Sequence, residues 1–374
     1  MKLLSLEYKE FEGTPQEWLV SGLTLGSKNL IVGKNASGKS RILNVLNSLA
    51  GNLSGVREPQ ISGNFSACFS QDDKKYEYQS ICENQKVVYE KLVIDGRIVL
   101  DRGEDGKGKI FAEKIGDGSD IEFHTPTSNF AVVSRRDQVQ HSFLEALYNW
   151  ADSVRYYPFG TPLGKDLFAV LVPNGPKVNE KDHNAVIGIF REAQKQFGDD
   201  FIDALKKDLA EVDYHVSHID VSSPISLKMD GPHGEPVGLY VKEKSLPGIT
   251  DQFSMSQGMF RVLSLLIHVN YFQMKATAST VLIDDIGEGL DFDRSCRLIN
   301  LLRAKADHNN LQLIMSTNDR FVMNSIPLDE WSVLKREANH VMVKNHKNSE
   351  KQFDDFKFTG LSNFSFLELD VLSE

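Results

Sequence analysis

The sequence predicts an α/β protein that carries an antiparallel β subdomain and a helical insertion. Strands and helices alternate in the first fifty residues and again in the last third of the chain. Short alternating segments between turn residues fill 61–123, and a helical period replaces them over 137–213. We therefore expect an N-terminal lobe over 1–135, a helical insertion over 136–222 and a C-terminal lobe over 223–374.

The opening of the chain has the pattern of three strands, LLSLEYKEF, WLVSGLTLG and NLIV, with Gly and Pro between them. The segment RILNVLNSLA then places Ile42, Leu43, Leu46 and Leu49 on one side of a helix. This order predicts a strand, a loop and a helix that follow one another directly.

The middle of the chain changes from strand to helix patterns. Turn residues such as NQ, DG and GEDGKG separate the short segments of 61–123, which indicates tight hairpins. In DDFIDALKKDLAEV, Phe201, Leu205, Leu209 and Val212 share a helix face behind an Asp N-cap. The segments ISLKM and GLYVKE then predict a hairpin, and TVLIDD, a helix from about residue 292, LQLIM, WSVLKR and HVMVKN restore the strand and helix alternation.

The composition excludes several classes of protein. A formal charge of −10 disfavours a strongly basic, nonspecific nucleic-acid binder, although a local basic patch stays open. The cysteines Cys68, Cys82 and Cys296 are too few and too scattered for a disulfide framework or a zinc site. The sequence has no apolar run of the roughly 20 residues that span a bilayer, and we expect no signal peptide because charged residues interrupt its first segment early. We expect a cytoplasmic protein with no membrane partner.

A glycine-bounded loop joins the third predicted strand to the helix, and it matches the pattern G-x-x-x-x-G-K-[ST] at every fixed position. Its residues are Gly33, Lys34, Asn35, Ala36, Ser37, Gly38, Lys39 and Ser40. Such a loop turns backbone N–H groups inward around phosphate oxygens, and the following helix directs its positive end at them. We predict an ATP site in which Lys39 reaches the β- and γ-phosphates, Ser40 ligates Mg²⁺ and Arg41 adjoins the nucleotide.

Two acids, Asp284 and Asp285, end the apolar run TVLIDD. In ATP-hydrolysing sites one carboxylate binds the magnesium shell and another polarises the attacking water. We predict that Asp284 takes the metal and Asp285 the water. Taken alone, two acids after a strand are more typical of a solvated turn; the phosphate-binding loop reverses that preference.

A third feature is the start of the apolar helix VLSLLIHVNYF, where Ser256, Gln257 and Gly258 lie. A Ser hydroxyl and a Gly N–H at a helix N-terminus form a second anion site. One γ-phosphate does not need two helix ends from one subunit, so the simplest use is to bind the nucleotide held by a second copy. The alternative is that Ser256 only caps the helix.

The order of these motifs resembles the ATP-binding-cassette (ABC) ATPases, and among them the soluble branch of RecF, the structural-maintenance-of-chromosomes (SMC) heads and the OLD ATPases. The resemblance covers 1–50 and about 240–325 by motif, and 51–135 by its hairpin-rich character. It implies that MSQGM occupies the position of the family's LSGGQ signature motif and that Arg261 occupies the position of the basic residue of that motif. It also makes Asp284 the Walker B aspartate and Gly289, Leu290 and Asp291 the D-loop. The fold implied is a P-loop NTPase of the ABC type.

The chain departs from that family at two positions. Asp285 stands where the family has a catalytic glutamate, and Asn318 stands where it has the switch histidine. Asn can hydrogen-bond a γ-phosphate but cannot carry a proton, so the resemblance with these changes implies slow hydrolysis. Glu288 is a reserve candidate for the base. Gln60 and Gln71 are both candidates for the Q-loop residue.

Two further groups leave alternatives open. His215 and His218 are spaced as metal ligands, but a third ligand is lacking nearby and a non-metal role is favoured. Arg135 and Arg136 could bind a nucleic-acid phosphate, although a solvated charged loop is the favoured interpretation.

The resemblance implies an ATP-binding and ATP-hydrolysing homodimer that closes over two Mg-ATP molecules. Its implied role is that of a switch for a separate effector, a nuclease or a toxin, in anti-phage defence or DNA repair. We expect no fused nuclease domain in the 56 residues after Asn318, because such a domain needs about 100 residues. The alternative is a non-catalytic scaffold or inhibitor that ATP clamps onto a partner. A membrane-transporter subunit fits less well.

Overall fold

A computed structural model describes residues 1–115, 118–170, 177–225, 236–276, 280–308 and 311–373. The chain forms two compact units. The first comprises Met1–Val154 and Ile326–Glu374, and the second is Arg155–Ser325. Among the described residues, no helix is both long and apolar enough to cross a membrane.

The strands of the described segments are, in chain order, β1 (Lys2–Glu10), β2 (Trp18–Thr24), β3 (Lys28–Val32), β4 (Ser62–Gln71), β5 (Lys74–Glu83), β6 (Lys86–Ile94), β7 (Arg97–Arg102), β8 (Lys107–Ala112), β9 (Ser119–His124), β10 (Arg155–Pro158), β11 (Ala169–Val170), β12 (Val216–Ser222), β13 (Pro236–Glu243), β14 (Thr250–Asp251), β15 (Thr280–Asp284), β16 (Gln312–Ser316), β17 (Trp331–Glu337) and β18 (His340–Asn345).

The helices of the same segments are α1 (Lys39–Leu53), α2 (Ala131–Ser134), α3 (Phe143–Ser153), α4 (Val186–Phe197), α5 (Asp199–Glu211), α6 (Gln257–Met274), α7 (Phe292–His308), α8 (Arg320–Ser325), α9 (Glu350–Lys357) and α10 (Asn363–Glu368). Short 3₁₀ turns occupy Glu104–Gly106, Leu328–Glu330 and Val371–Ser373.

The first unit contains a sheet whose strands follow the order β3-β17-β18-β2-β1-β4-β5-β6-β7-β8-β9. From β4 to β9 each strand pairs antiparallel with the next, which confirms the hairpins predicted over 61–123. At the other end β17 runs parallel to β3, and β18 runs parallel to β2. Leu30, Ile31 and Val32 of β3 are fully buried, as expected for a strand inside a parallel arrangement.

In the second unit, β10, β15 and β16 pair in parallel. Every residue of β15 and β16 is buried, which explains why both segments are continuous apolar runs in the sequence. Helix α6 is also buried for most of its length. A smaller antiparallel sheet of the order β11-β13-β12, with β14 beside β13, completes the unit.

The segment predicted to be helical over 137–213 is only partly so. It contains α3, α4 and α5, but β10 lies between α3 and α4 and pairs with β15. Four residues are too few to show a period, and the partner strand is remote in sequence. The predicted Asp N-cap of α5 is also wrong, because Gly198 is the cap and Asp199 and Asp200 lie in the first turn. There their charges favour the helix dipole.

The described residues include most of the other predicted elements. GLYVKE lies in β13, whose antiparallel partner is β12; most of ISLKM lies outside the described residues. The strands and the helix predicted after residue 279 are confirmed as β15, α7, β16, β17 and β18. The functional division into 1–135, 136–222 and 223–374 remains a proposal. The compact units divide the chain differently, because β17 and β18 pair with strands near the N-terminus.

Candidate active site

The predicted phosphate-binding loop lies between β3 and α1, in the first unit. Two of its residues have left-handed backbone conformations, Ala36 with φ of 62° and Gly38 with φ of 107°. A side chain is strained at the φ of Gly38. At Gly33 a Cβ atom would lie 2.6 Å from Ser37 Oγ and 3.2 Å from the Leu334 carbonyl oxygen. A side chain would thus be crowded at Gly33 and strained at Gly38, which agrees with the glycines of the motif.

Lys39 begins α1 and is 7% exposed. Its Nζ donates hydrogen bonds to the carbonyl oxygens of Gly33, at 3.0 Å, and Lys34, at 3.4 Å. The ammonium group is thus held against the loop with which it is predicted to bind phosphate. Ser40 follows in the first turn and is exposed. The N–H groups of a first turn lack intrahelical acceptors, so this helix end can bind phosphate oxygens.

Two arginines flank the loop. The Arg336 guanidinium, from the end of β17, donates a hydrogen bond to the Ala36 carbonyl at 2.9 Å. This contact fixes the loop at its left-handed residue. Arg41 lies 4.1 Å above the ring of Trp18 and pairs with Glu10. Its side chain thus has partners within the protein, and its contact with nucleotide stays a prediction.

In the second unit, the Walker B candidate Asp284 ends β15 and is 7% exposed. The hydroxyl of Ser316, at the end of the neighbouring strand β16, donates a hydrogen bond to Asp284 Oδ1. The hydroxyl of Tyr156, on β10, lies 3.4 Å from Oδ2. Side chains from both neighbouring strands therefore orient one carboxylate at the carboxyl edge of the parallel strands.

Asp285 lies just beyond that edge with a left-handed φ of 54°, a conformation that Asp tolerates better than most residues. Its backbone N–H donates to Ser316 Oγ at 3.0 Å. The Asn318 side-chain amide donates to Asp285 Oδ1 at 3.1 Å. The structure thus brings Asp285 and Asn318 together, as expected if they act at one place.

Arg261 ties the two loops next to Asp285. Its guanidinium donates to three backbone carbonyl oxygens, those of Thr161 at 2.9 Å, Gly160 at 2.7 Å and Glu288 at 2.7 Å. Burial lowers the pKa of Arg261 from its usual value. A Cβ at Gly160 would contact Asp285 Cβ at 3.6 Å and Glu288 Cγ at 3.7 Å, so the loop passes close to both acids.

The signature candidates occupy the start of α6. Ser256 is the N-cap, is exposed, and its Oγ accepts a hydrogen bond from the Met259 N–H at 3.1 Å. Ser256 therefore does cap the helix, and its hydroxyl hydrogen can still be donated. A Cβ at Gly258 would lie 2.7 Å from the Gly289 carbonyl oxygen, so the helix end packs directly on the D-loop. The Gln257 side-chain nitrogen is buried and has no hydrogen-bond partner within the described segments.

The two histidines of the predicted pair have different polar partners. His215 Nε2 lies 3.3 Å from an Asp213 carboxylate oxygen, and His218 Nε2 lies 3.1 Å from the Tyr240 hydroxyl. These separate partners agree with the favoured non-metal interpretation.

The arginine pair is engaged within the first unit. Arg135 donates to the His124 carbonyl oxygen at 3.0 Å. Arg136 lies 3.4 Å above the Tyr148 ring and 3.4 Å from Glu145. Local contacts account for both side chains, and nucleic-acid binding by them stays an untested alternative.

The sequence did not single out Ser316, Tyr156 or Arg336 as site residues. Ser316 lies two residues before Asn318, so its position after an apolar run was a usable signal. Tyr156 and Arg336 had no local signal, because each contacts a residue more than a hundred positions away. The roles predicted for the loop residues, the acids and the signature residues stay predictions.

A glycine-dependent phosphate loop, together with a serine-capped helix packed on a glycine turn, is typical of ABC-type P-loop ATPases. Comparison with known proteins confirms a P-loop ATPase, and the solved structures that match it share the fold of SMC heads. Residues 28–324 match the family described as "AAA domain, putative AbiEii toxin, Type IV TA system". The match covers most of the chain, which therefore belongs to this family, and family membership supports ATPase activity.

Solved structures show the same fold. One is the SMC head bound to the C-terminal winged-helix domain of ScpA, with 14% identity, a TM-score of 0.52, and coverage of 94% of this chain and 100% of that chain. Another is the SMC head with an extended coiled coil bound to the C-terminal domain of ScpA from Pyrococcus furiosus. It has 12% identity, a TM-score of 0.51, and coverage of 95% and 99%. No curated protein matches the sequence.

Replacing Lys39 by alanine removes the ammonium group held against the loop, and we expect ATP binding to be lost. Two charge-assisted hydrogen bonds to phosphate contribute about 3 kcal/mol or more, which corresponds to at least roughly a hundredfold in affinity. Equilibrium binding of a fluorescent ATP analogue measures this change. The exposed Lys86→Ala variant, on the same unit, is the control, and wild-type affinity in Lys39→Ala would show that the site is wrongly assigned.

Proposed function

We propose that this protein binds and hydrolyses Mg-ATP. The observation that carries the proposal is the loop at 33–40, whose left-handed turn, crowded Gly33 and buried Lys39 are the features expected of a phosphate-binding loop. In this proposal the loop N–H groups and Lys39 bind the phosphates, and Asp285 orients the attacking water. Asn318 donates a hydrogen bond beside the γ-phosphate.

The donors proposed for the metal are oxygen atoms, the Ser40 hydroxyl and the Asp284 carboxylate. Oxygen ligands of this kind suit Mg²⁺. The buried Asp284 carboxylate, oriented by Ser316 and Tyr156, fits the role of a metal-shell acid. When bound, the metal neutralises charge on the phosphate oxygens.

Asp285 and Asn318, at the edge of the parallel strands, favour slow hydrolysis. Asp285 is one methylene shorter than a glutamate, and its carboxylate already accepts a hydrogen bond from Asn318. A neutral amide supplies less stabilisation than a cationic histidine as charge develops on the leaving phosphate. Both effects slow the chemical step without weakening nucleotide binding, so we propose a long-lived ATP-bound state.

The exposed Ser256 hydroxyl at the start of α6 supports a homodimer that shares its ATP sites. The helix end offers a Ser hydroxyl and the N–H groups of Gln257 and Gly258 to an anion, while the Met259 N–H is taken by Ser256 Oγ. The packing of Gly258 on Gly289 keeps this end close to the D-loop. We propose that each copy uses this surface to bind the γ-phosphate of the nucleotide held by the other copy.

We further propose that the ATP-bound dimer acts as a switch for a separate effector, a nuclease or a toxin, in anti-phage defence or DNA repair. The family description, which refers to a type IV toxin–antitoxin system, supports a partnered role. The similar SMC heads were solved bound to another protein, ScpA. A non-catalytic, ATP-clamped scaffold is the second candidate, because Asp285 and Asn318 both depart from the family's catalytic residues. Phosphate release with and without DNA distinguishes the two.

An Asp285→Asn variant should keep ATP and Mg²⁺ but fail to activate water, and we expect it to form ATP-dependent dimers in sedimentation velocity. Adding Ser256→Arg should prevent dimerisation, since a long side chain would fill the helix end. The matched control is Ser362→Arg, because Ser362 is also an exposed helix N-cap. A monomer at saturating ATP, or dimers that tolerate Ser256→Arg, would contradict the shared-site proposal.

Turnover at saturating Mg-ATP should rise when the family residues are restored by Asp285→Glu and Asn318→His. A misplacement of about 1 Å in the attacking water can cost on the order of a hundredfold in rate, so the expected gain lies between a few-fold and that value. Steady-state phosphate release measures the change, and equilibrium ATP binding is the control that should not move. If both substitutions lower the rate, the site is adapted to Asp and Asn, and slow turnover has another cause.

A further inference from the structure

Two exposed phenylalanines lie together in the second unit. Phe292 is the first residue of α7, directly after the D-loop, and Phe321 is the second residue of α8. Their rings contact edge to face, with centroids 5.0 Å apart and an interplanar angle of 65°. Phe292 is 52% exposed and Phe321 is 40% exposed. The pair therefore presents apolar ring surface to solvent although each ring already packs on the other.

Both rings lie at the start of helices whose first turns are fixed by capping hydrogen bonds. Asp291 accepts a hydrogen bond from the Arg294 N–H at 3.0 Å, which caps the first turn of α7. Asp319 Oδ1 accepts from the Phe321 N–H at 2.7 Å, which caps α8 in the same way. A preorganised aromatic side chain loses little conformational freedom when it is buried by a partner. Tyr, Trp and Phe are accordingly enriched at the centres of protein interfaces.

The position of the pair indicates which partner covers it. Phe292 follows the D-loop, whose Gly289 packs against Gly258 in the signature segment. Phe321 follows Asn318, which hydrogen-bonds Asp285. The two rings thus stand on the two loops next to the hydrolytic acid and the signature segment. In the proposed dimer, Ser256 approaches the nucleotide of the second copy. The interface around Ser256 therefore lies next to these rings.

We infer that Phe292 and Phe321 form the apolar contact by which a second copy of this chain is held in the ATP-bound dimer. The inference rests on the proposed shared-site dimer and adds the surface that stabilises it. In a two-fold interface the same patch is used by both copies, so the dimer contains two aromatic pairs, one from each copy. Contact with the partner also restrains the D-loop and the Asn318 loop, which couples dimerisation to the geometry around Asp285.

The experiment compares dimer dissociation constants by sedimentation at saturating Mg-ATP, in the Asp285→Asn background. The test variant carries Phe292→Ser and Phe321→Ser. The matched control carries Leu167→Ser and Leu246→Ser, two residues of the same unit that are 52% and 47% exposed. We expect the test variant to weaken the dimer by at least about tenfold, the control to match the parent, and ATP affinity to stay the same in all three.

The outcomes separate the inference from the proposed function. If the parent dimerises and the test variant dimerises equally well, the aromatic contact is wrong and the shared-site dimer stands. If the parent binds ATP but stays monomeric, the dimer proposal fails, and the inference fails with it. The single variant Phe321→Lys repeats the test with a charged surface side chain, in case the double variant does not fold. It should also weaken the dimer while keeping the monomer's ATP affinity.

Discussion

The Ser316 hydroxyl is the contact on which the arrangement of the two acids depends. It donates to the Asp284 carboxylate and accepts from the Asp285 backbone N–H, and Ser316 is fully buried. The Ser316 carbonyl also accepts from the Ile286 N–H at 2.9 Å. One residue of β16 therefore fixes the carboxylate proposed to bind metal and the backbone of the acid proposed to orient water. Parallel pairing of β15 and β16 supplies this register.

The phosphate-binding loop lies in the other compact unit, and its shape depends on backbone conformation. Left-handed Ala36 and Gly38 turn the chain, and Arg336 holds the Ala36 carbonyl from β17. Lys39 is held by carbonyl oxygens of the loop itself. Preorganisation of this kind favours tight binding. Together with a short acid and a neutral amide at the strand edge, it supports the proposal of a protein that binds ATP firmly and hydrolyses it slowly.

The sequence predicted the fold class and most elements because their signals are local. The glycine spacing of 33–40 and the apolar run before Asp284 each lie within ten residues, so pattern alone located them. Residues that act through pairing could not be found in this way. Tyr156 lies on the four-residue strand β10, which has no period of its own, and its partner strand follows much later in the chain. Arg336 reaches Ala36 only because β17 pairs with β3.

The role of the Ser316 hydroxyl is tested most directly by phosphate release from Ser316→Ala at saturating Mg-ATP, measured beside equilibrium ATP binding. Without the hydroxyl, Asp284 and the Asp285 N–H lose their shared partner, while the phosphate-binding loop is untouched. We expect unchanged ATP affinity and turnover reduced by roughly tenfold to a hundredfold, because a reacting group that shifts by about 1 Å loses that much in rate. Wild-type turnover in Ser316→Ala would contradict the central role given to this hydroxyl.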